Sequence, residues 1–423
     1  MMRTETAREL HAYLVTIATI DTHEHLPAYE KFRESRNDVL AEYLTHYLSS
    51  DLVSAGMPPE TLTHVVHNQS IGLLDKWASI APYWPFVRHT GYGRSIRIAA
   101  KELYGIDRID GDSIEALNSR FVDARAKGDA YQRILRDRCG LESIILDSWN
   151  LDVDKEYFQL ACQIGPFVYG EDGDANLWRS AQVWTGQQAT GFGDFLDMVA
   201  AFIIKTLSDN AICLKCSLAY ERSIHFPRAA YADAKAEFKR MQAGMDKKEW
   251  AQSTNLQNYM MHHVLAAAGK VGGVVQFHTG IQEGNGNHLA WTNPLLLENL
   301  FRDYPDVRFD LFHIGYPFQQ ITTALAKNFR NVFIDMCWSH IISPLDAAVA
   351  LDGFLDAVPY NKISAFGGDY CFVDGVVGHL AIARENVATV LGHRVDDGMM
   401  DMEEAKHIAT CLFYNNPKAL FSL

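Results

Sequence analysis

Two histidines spaced two residues apart, in Ile20-Asp21-Thr22-His23-Glu24-His25, are the first residues of this chain whose types and spacing suggest chemistry. Side chains at i and i+2 on a strand point to the same face, so His23 and His25 can offer their imidazoles to one ion. Alone the pair is weak, because many His-x-His pairs are structural. Its weight comes from what recurs downstream. Lys215 follows the apolar run Ala211–Leu214, His278 follows Gly273–Phe277, and His313 follows Arg308–Phe312. Asp369 closes the series, in Ala365-Phe366-Gly367-Gly368-Asp369-Tyr370. A catalytic metal site takes three or four such ligands and keeps one position open for water or substrate. His278 and Asp369 are therefore expected to join His23 and His25 around a divalent metal. Three His and one carboxylate suit Zn²⁺ best, though Mn²⁺, Fe²⁺ or Ni²⁺ could use the same donors.

Residues so far apart in sequence need a scaffold that gathers them. Val15–Ile20, Ser143–Leu146, Ala211–Leu214, Gly273–Phe277, Arg308–Phe312, Asn331–Met336 and Lys362–Phe366 read as short strands buried on both faces. Phe158–Val168 is the best placement for a third strand in the series. Helical patterns lie between them, one opened by Asn293-Pro294. Repeated β-then-α units predict a parallel sheet, and eight close a (β/α)8 TIM barrel whose C-terminal strand ends share one mouth. The chain reads as one such domain over 1–423. A large helical insertion after strand 1 covers about 29–138, and a smaller helical excursion covers about 227–261.

The bulk properties exclude some functions. The net charge is −14, from 52 acidic and 38 basic residues, which argues against a nucleic-acid binder. It leaves room for an anionic substrate, since a few arginines in a pocket outweigh a diffuse surface field. No apolar run approaches the roughly 20 residues that span a bilayer. The charged segment Met1–Glu9 lacks the apolar core of a secretory signal, and the seven scattered Cys read as free thiols. A cytoplasmic location is expected. A homo-oligomer is compatible with a barrel of this size, but no exposed stripe marks an interface.

The order of motifs resembles a known family. His278-Thr279-Gly280, Asn293-Pro294, Asp303-Tyr304-Pro305-Asp306, His313-Ile314-Gly315-Tyr316-Pro317, Phe366-Gly367-Gly368-Asp369-Tyr370 and Asn416-Pro417, with Asp21-Thr22-His23-Glu24-His25-Leu26 ahead of them, resemble the amidohydrolase superfamily. Within it they look like the amidohydrolase-related (amidohydrolase 2) group, which also holds decarboxylases. The helical region from Asp51 to Gly140 is similar to the insertion of uronate isomerase relatives. The resemblance implies that His23, His25 and Asp369 bind metal and that His278 is a further ligand. It implies that His313 is either a ligand of a second metal or an acid–base and polarising group. Asp369 would also take the proton of metal-bound water, whose pKa a divalent ion lowers toward 7.

Lys215 is open to three readings. In two-metal relatives its counterpart is carboxylated and bridges the ions, which would make the site binuclear rather than mononuclear. In a subgroup that Leu214-Lys215-Cys216-Ser217-Leu218-Ala219-Tyr220-Glu221-Arg222 resembles, Lys, Tyr and Arg line the substrate pocket. Lys215, Tyr220 and Arg222 are then substrate contacts, with Arg222 suited to a bidentate carboxylate. A structural ion pair is the third reading. Arg88, within the cluster Arg88, His89, Tyr92 and Arg94, and Trp338, after the seventh strand, are further substrate-contact candidates. Gly284-Asn285-Gly286-Asn287 is a flexible loop that lacks a P-loop ending. His11, His46, His64, His67, His262 and His263 receive no function.

The leading functional expectation is a metal-dependent hydrolase that directs activated water at a small, carboxylate-bearing amide, ester or lactone. The alternative is a decarboxylase or a uronate-isomerase-like sugar-acid isomerase. The Arg-Val-Trp-Trp run of uronate isomerase is missing here, which weighs against the isomerase. A non-catalytic binding protein on a degenerate barrel ranks last, because every ligand position is filled.

Overall fold

A computed structural model describes residues 4–32, 38–170 and 176–423. Residues 33–37 of the expected insertion, and Met1–Arg3 of the charged leading segment, lie outside the described residues. Eight parallel strands follow one another in sequence order around a single sheet: β1 Thr19–Glu24, β2 Leu141–Ser148, β3 Phe158–Gln163, β4 Ala211–Cys216, β5 Val274–Phe277, β6 Arg308–Leu311, β7 Val332–Asp335 and β8 Ile363–Ser364. The seam is closed by backbone hydrogen bonds between β1 and the residues after β8. Thr22 N–H donates to Phe366 O at 3.1 Å and Asp369 N–H donates to His23 O at 2.7 Å. The eight-stranded α/β barrel expected from the apolar runs is thus the observed fold.

Two boundaries differ from the sequence reading. Val15 and Thr16 end a helix, Glu5–Thr16, and β1 starts only at Thr19. Leu10 and Leu14 of that helix are buried one turn apart, so the apolar run joins a helix face to a strand. The third strand stops at Gln163, because Gly165–Val168 turns into a short helix with Pro166 in its first turn.

The barrel interior is layered by the two-residue period of its strands. Ile145, Ala161, Cys213 and Val274 form an apolar floor, plugged from below by Leu420 and Phe421. Two residues further along the same strands lie Asp147, Gln163, Lys215 and Gln276, all buried. The chemistry therefore sits on an apolar base at the C-terminal end of the strands.

The stretch after β1 folds as helices, including Val39–Tyr43, Leu48–Ser54, Pro59–His67, Leu73–Ile80, Gly91–Tyr104 and Ile114–Arg125. Thr90 caps the fifth of these by accepting from Gly93 N–H, and Gly105 at φ 64° ends it. This helix packs on the long Val373–Asp396 helix at very short range. A Cβ on Gly378 would lie 1.9 Å from Ser95 O. Tyr43 and Tyr104 both donate to Asp374 Oδ2, fixing the insertion over the barrel mouth. The 227–261 excursion is likewise helical, as Tyr231–Gly244, Lys247–Gln252 and the start of Thr254–Gly269.

Candidate metal centre

Strand ends bring His23, His25, Lys215, His278, His313 and Asp369 together. His23 Nε2 lies 3.3 Å from His25 Nε2 and 3.4 Å from Asp369 Oδ1, and His25 Nε2 lies 3.1 Å from that same oxygen. Tetrahedral bonds of roughly 2.0–2.1 Å require donor atoms about 3.3–3.4 Å apart. The three atoms form one face of such a polyhedron, so these residues fit a divalent cation. The other oxygen of Asp369 lies 3.8 Å from His313 Nε2.

A second observation points the same way. His278 Nε2 meets Ile281 O at 2.9 Å and His313 Nδ1 meets Cys337 O at 3.0 Å. A carbonyl only accepts, so each imidazole spends its N–H there. What remains are two lone pairs, His278 Nδ1 and His313 Nε2, 3.1 Å apart. Facing lone pairs repel unless a proton or a cation lies between them. His278 Nδ1 therefore faces His313 Nε2.

Electrostatics keep His23, His278, His313 and Asp369 in metal-binding form, whereas His25 is shifted toward its protonated form. Burial and the nearby Lys215 ammonium hold His23 well below the ordinary imidazole range. Burial and His313 do the same to His278, and burial brings His313 to about 4. Burial also opposes ionisation of Asp369. The hydrogen bond from His25 and the charges of His23 and His313 outweigh it, leaving this carboxyl well below its usual range. For His25 the order is similar: burial lowers it, but Asp369 and Asp147 raise it more.

Lys215 is 2% exposed, with Nζ 3.0 Å from His23 Nε2 and 4.2 Å from the centre of the Phe312 ring. Trp338 is buried behind the cup, its ring edge-on to His313 at 5.0 Å. Tyr220 packs edge-on against His278 at 4.8 Å, and its hydroxyl oxygen accepts from Glu283 N–H. His25, its side chain 37% exposed, is the solvent-facing member of the cluster.

Two expected substrate contacts are placed elsewhere. Arg222 donates to Gln257 Oε1, Asn258 Oδ1, His225 O and Ser223 O, and stacks over Phe226. Its guanidinium clips the Thr254–Gly269 helix to the β4 loop, with most of its donors engaged there. Arg88 turns outward to His89 Nε2. The Gly284–Asn287 loop is tied down, with Asn287 Nδ2 donating to Gln282 O and Asn285 Nδ2 to Ser50 O of the insertion.

Several site residues were missed. Asp147, at the end of β2, lies 3.7 Å from His23 Nε2 and 3.8 Å from His25 Nδ1, and Gln163 Nε2 donates to its carboxylate at 2.6 Å. The signal was available: like the other site residues, Asp147 directly follows an apolar run. Tyr47, from the insertion, donates its hydroxyl to Asp369 O. Its ring stacks on Trp338 at 4.7 Å and on Tyr92 at 5.2 Å. His46, assigned no function above, lies against Tyr47. No spacing in the sequence could have linked these insertion residues to β8.

Backbone strain concentrates here. Tyr47, His313, Trp338 and Asp369 all hold positive φ, at 49°, 61°, 61° and 58°. Each costs on the order of 1–3 kcal/mol and persists only where the surroundings enforce it. Gly367 and Gly368 make the geometry of Asp369 possible, since a Cβ on Gly368 would fall 1.7 Å from Glu24 Oε1.

The comparisons with known proteins agree with this architecture. Over 99% of its length the chain superposes on 98% of the uronate isomerase of Thermotoga maritima, with a TM-score of 0.80 and 16% identity. For glucuronate isomerase of Caulobacter crescentus the figures are 99% and 94% coverage, a TM-score of 0.78 and 17% identity. A protein from Lactobacillus casei described as a metal-dependent hydrolase aligns over 98% of this chain and 97% of its own, with a TM-score of 0.66 and 15% identity. At these identities the likeness is one of fold. A stretch of 150 residues, 35% of this chain, is 27% identical to protein fluG of Emericella nidulans, but spans only 17% of that protein's length. The amidohydrolase family model matches residues 207–423, just over half of the chain, which therefore belongs to that family.

Proposed function

We propose that this amidohydrolase-family member is a metal-dependent isomerase of a small sugar acid. The observation that carries the reading is the cap. The fold likeness to uronate isomerases extends over 99% of the chain, so it takes in the insertion that places Tyr47, Tyr92 and His46 above Asp369 and Trp338. The missing Arg-Val-Trp-Trp run weighs less than a shared cap. With Arg222 bonded to the Thr254–Gly269 helix and Arg88 to His89, Lys215 is the cation beside the histidines, so the substrate's carboxylate would be recognised near it.

In this reading His23, His25 and Asp369 would hold one Zn²⁺, which when bound would supply Lewis-acid polarisation of the substrate carbonyl. Isomerisation of an open-chain aldose acid moves hydrogen from C2 to C1 and a proton from O2 to O1, with nothing gained or lost. Asp369 Oδ2, turned toward His313, would carry the carbon-bound proton in transit. The His278–His313 pair, neutral at rest, would accept a proton transiently between its facing nitrogens and pass it between the hydroxyl oxygens. The buried Trp338 and Tyr47 keep bulk water from the intermediate.

Hydrolysis stays as the second reading, supported by the Lactobacillus casei neighbour and by a carboxylate poised to take a proton from water. Proton NMR of uronates incubated with the Zn²⁺-loaded protein, set beside a panel of esters, lactones and amides, separates the two. The isomerase reading predicts ketose signals with D-glucuronate or a related uronate. Turnover confined to the hydrolysis panel would replace it with the second reading.

A further inference from the structure

The far end of the barrel holds a buried charge with no counter-charge. Arg384, on the Val373–Asp396 helix, is 7% exposed. One of its nitrogens, Nη2, donates to Thr19 Oγ1 at 3.3 Å and to Cys139 O at 2.9 Å. Its Nε is buried without a partner, and among the described residues no carboxylate pairs with it. A guanidinium removed from water costs free energy unless an anion or a full set of acceptors compensates. Neither neutral oxygen supplies a charge.

Arg384 lines a cavity of about 230 Å³ whose wall also includes His11, the ion-paired Arg138 and Glu102, and the apolar Val15, Val377, Leu380 and Ala381. Arg138 is balanced by Glu102. With His11 held below its ordinary range by burial, and so neutral, the net charge at the wall is that of Arg384. Thr19 opens β1 and Cys139 shortly precedes β2, so the cavity lies at the N-terminal strand ends, opposite His23 and Asp369. Substrate chemistry in barrels of this kind collects at the other face.

We propose that this cavity binds a small organic oxyanion. Its charged oxygens meet Arg384 and Arg138, and its carbon body rests on Val15, Val377 and Leu380. The site is separate from the metal centre, and it would let an anionic metabolite act on the chain from the base of β1. This does not depend on which reaction the mouth performs.

Calorimetric titration of the full, Zn²⁺-loaded chain with inorganic phosphate and with butyrate tests it and tells phosphate-type from carboxylate-type recognition. Binding of at least one probe is expected. Arg384→Gln should weaken it about 10-fold or more, as expected for a lost charge-assisted hydrogen bond. Should Arg384→Gln fail to fold, Ala381→Trp fills the cavity while leaving Arg384 in the sequence, and should abolish binding. Asp369→Ala should leave it unchanged. The proposal fails if neither probe binds, if Ala381→Trp binds like the parent chain, or if Asp369→Ala removes the binding.

Discussion

Asp369 joins the two halves of the candidate centre: Oδ1 faces His23 and His25, and Oδ2 faces His313. Asp369→Asn keeps the volume and removes the charge. It should cut bound Zn²⁺, measured by elemental analysis, to a small fraction of the parent value, with turnover falling in parallel. Tyr47→Phe is the subtler test. It keeps the aromatic stack and removes the hydroxyl that holds the Asp369 carbonyl in its left-handed conformation. Outer partners of metal ligands are typically worth 10–100-fold in affinity. Zn²⁺ competition against a chelator should show a loss of about 10-fold with the melting temperature little changed, whereas a purely structural role would lower the melting temperature and spare the affinity. The six strand-end residues were legible in sequence because strand periodicity and barrel topology together dictate where they converge. The partners of Arg222 were not legible, because charge alone does not say whether a guanidinium faces substrate or the side-chain amides of a neighbouring helix. Asp147 escaped notice because the expected second strand ended one residue before it.

The insertion helices act as a unit with the mouth they cover. Gly91 and Gly378 set their closest approaches: a Cβ on Gly91 would lie 2.0 Å from Ile341 O, and one on Gly378 would lie 1.9 Å from Ser95 O. Backbone atoms cannot give way as a flexible side chain would. Gly378→Ala should therefore destabilise by about 2–3 kcal/mol. Because the shift is transmitted to the helix carrying Tyr92, KM should rise more than bound metal falls. Thermal melts and steady-state kinetics on one preparation check both. Seven of the eight strands were visible as apolar runs, with boundaries off by a few residues at most places. The start of β1 was obscured by the helix that runs into it, and β3 was drawn too long across Pro166. The helical nature of the insertion was legible, but its docking was not. Contacts such as Tyr47 with Asp369 join residues 322 positions apart, and no local pattern encodes them.

Across the whole molecule, buried carboxyls in the barrel trade stability for a charged interior. Asp310 and Asp335 sit side by side on β6 and β7, fully buried, and burial with mutual repulsion raises Asp310 well above the ordinary range. Burial lifts Asp335 to about 6. The folded chain then binds more protons than the unfolded chain from about pH 4, where unfolded carboxyls titrate, through about pH 6 for Asp335 and higher for Asp310. This pair's contribution to stability therefore falls as pH rises through that window. Asp310→Asn should remove the effect, so the melting temperature of the variant relative to the parent should be higher at pH 8 than at pH 4.5. A constant difference would mean the pair is neutralised in another way. No helix of the described chain is long and apolar enough to cross a membrane.

The proposed metal-dependent isomerisation of a sugar acid is tested most directly by NMR of D-glucuronate and related uronates in D₂O with the Zn²⁺-loaded protein. Conversion to the ketose is expected, with deuterium entering at the carbon that exchanges its proton, and complete loss of both signals in Asp369→Asn. Unchanged uronates at high protein concentration, or conversion that persists in Asp369→Asn, would contradict it.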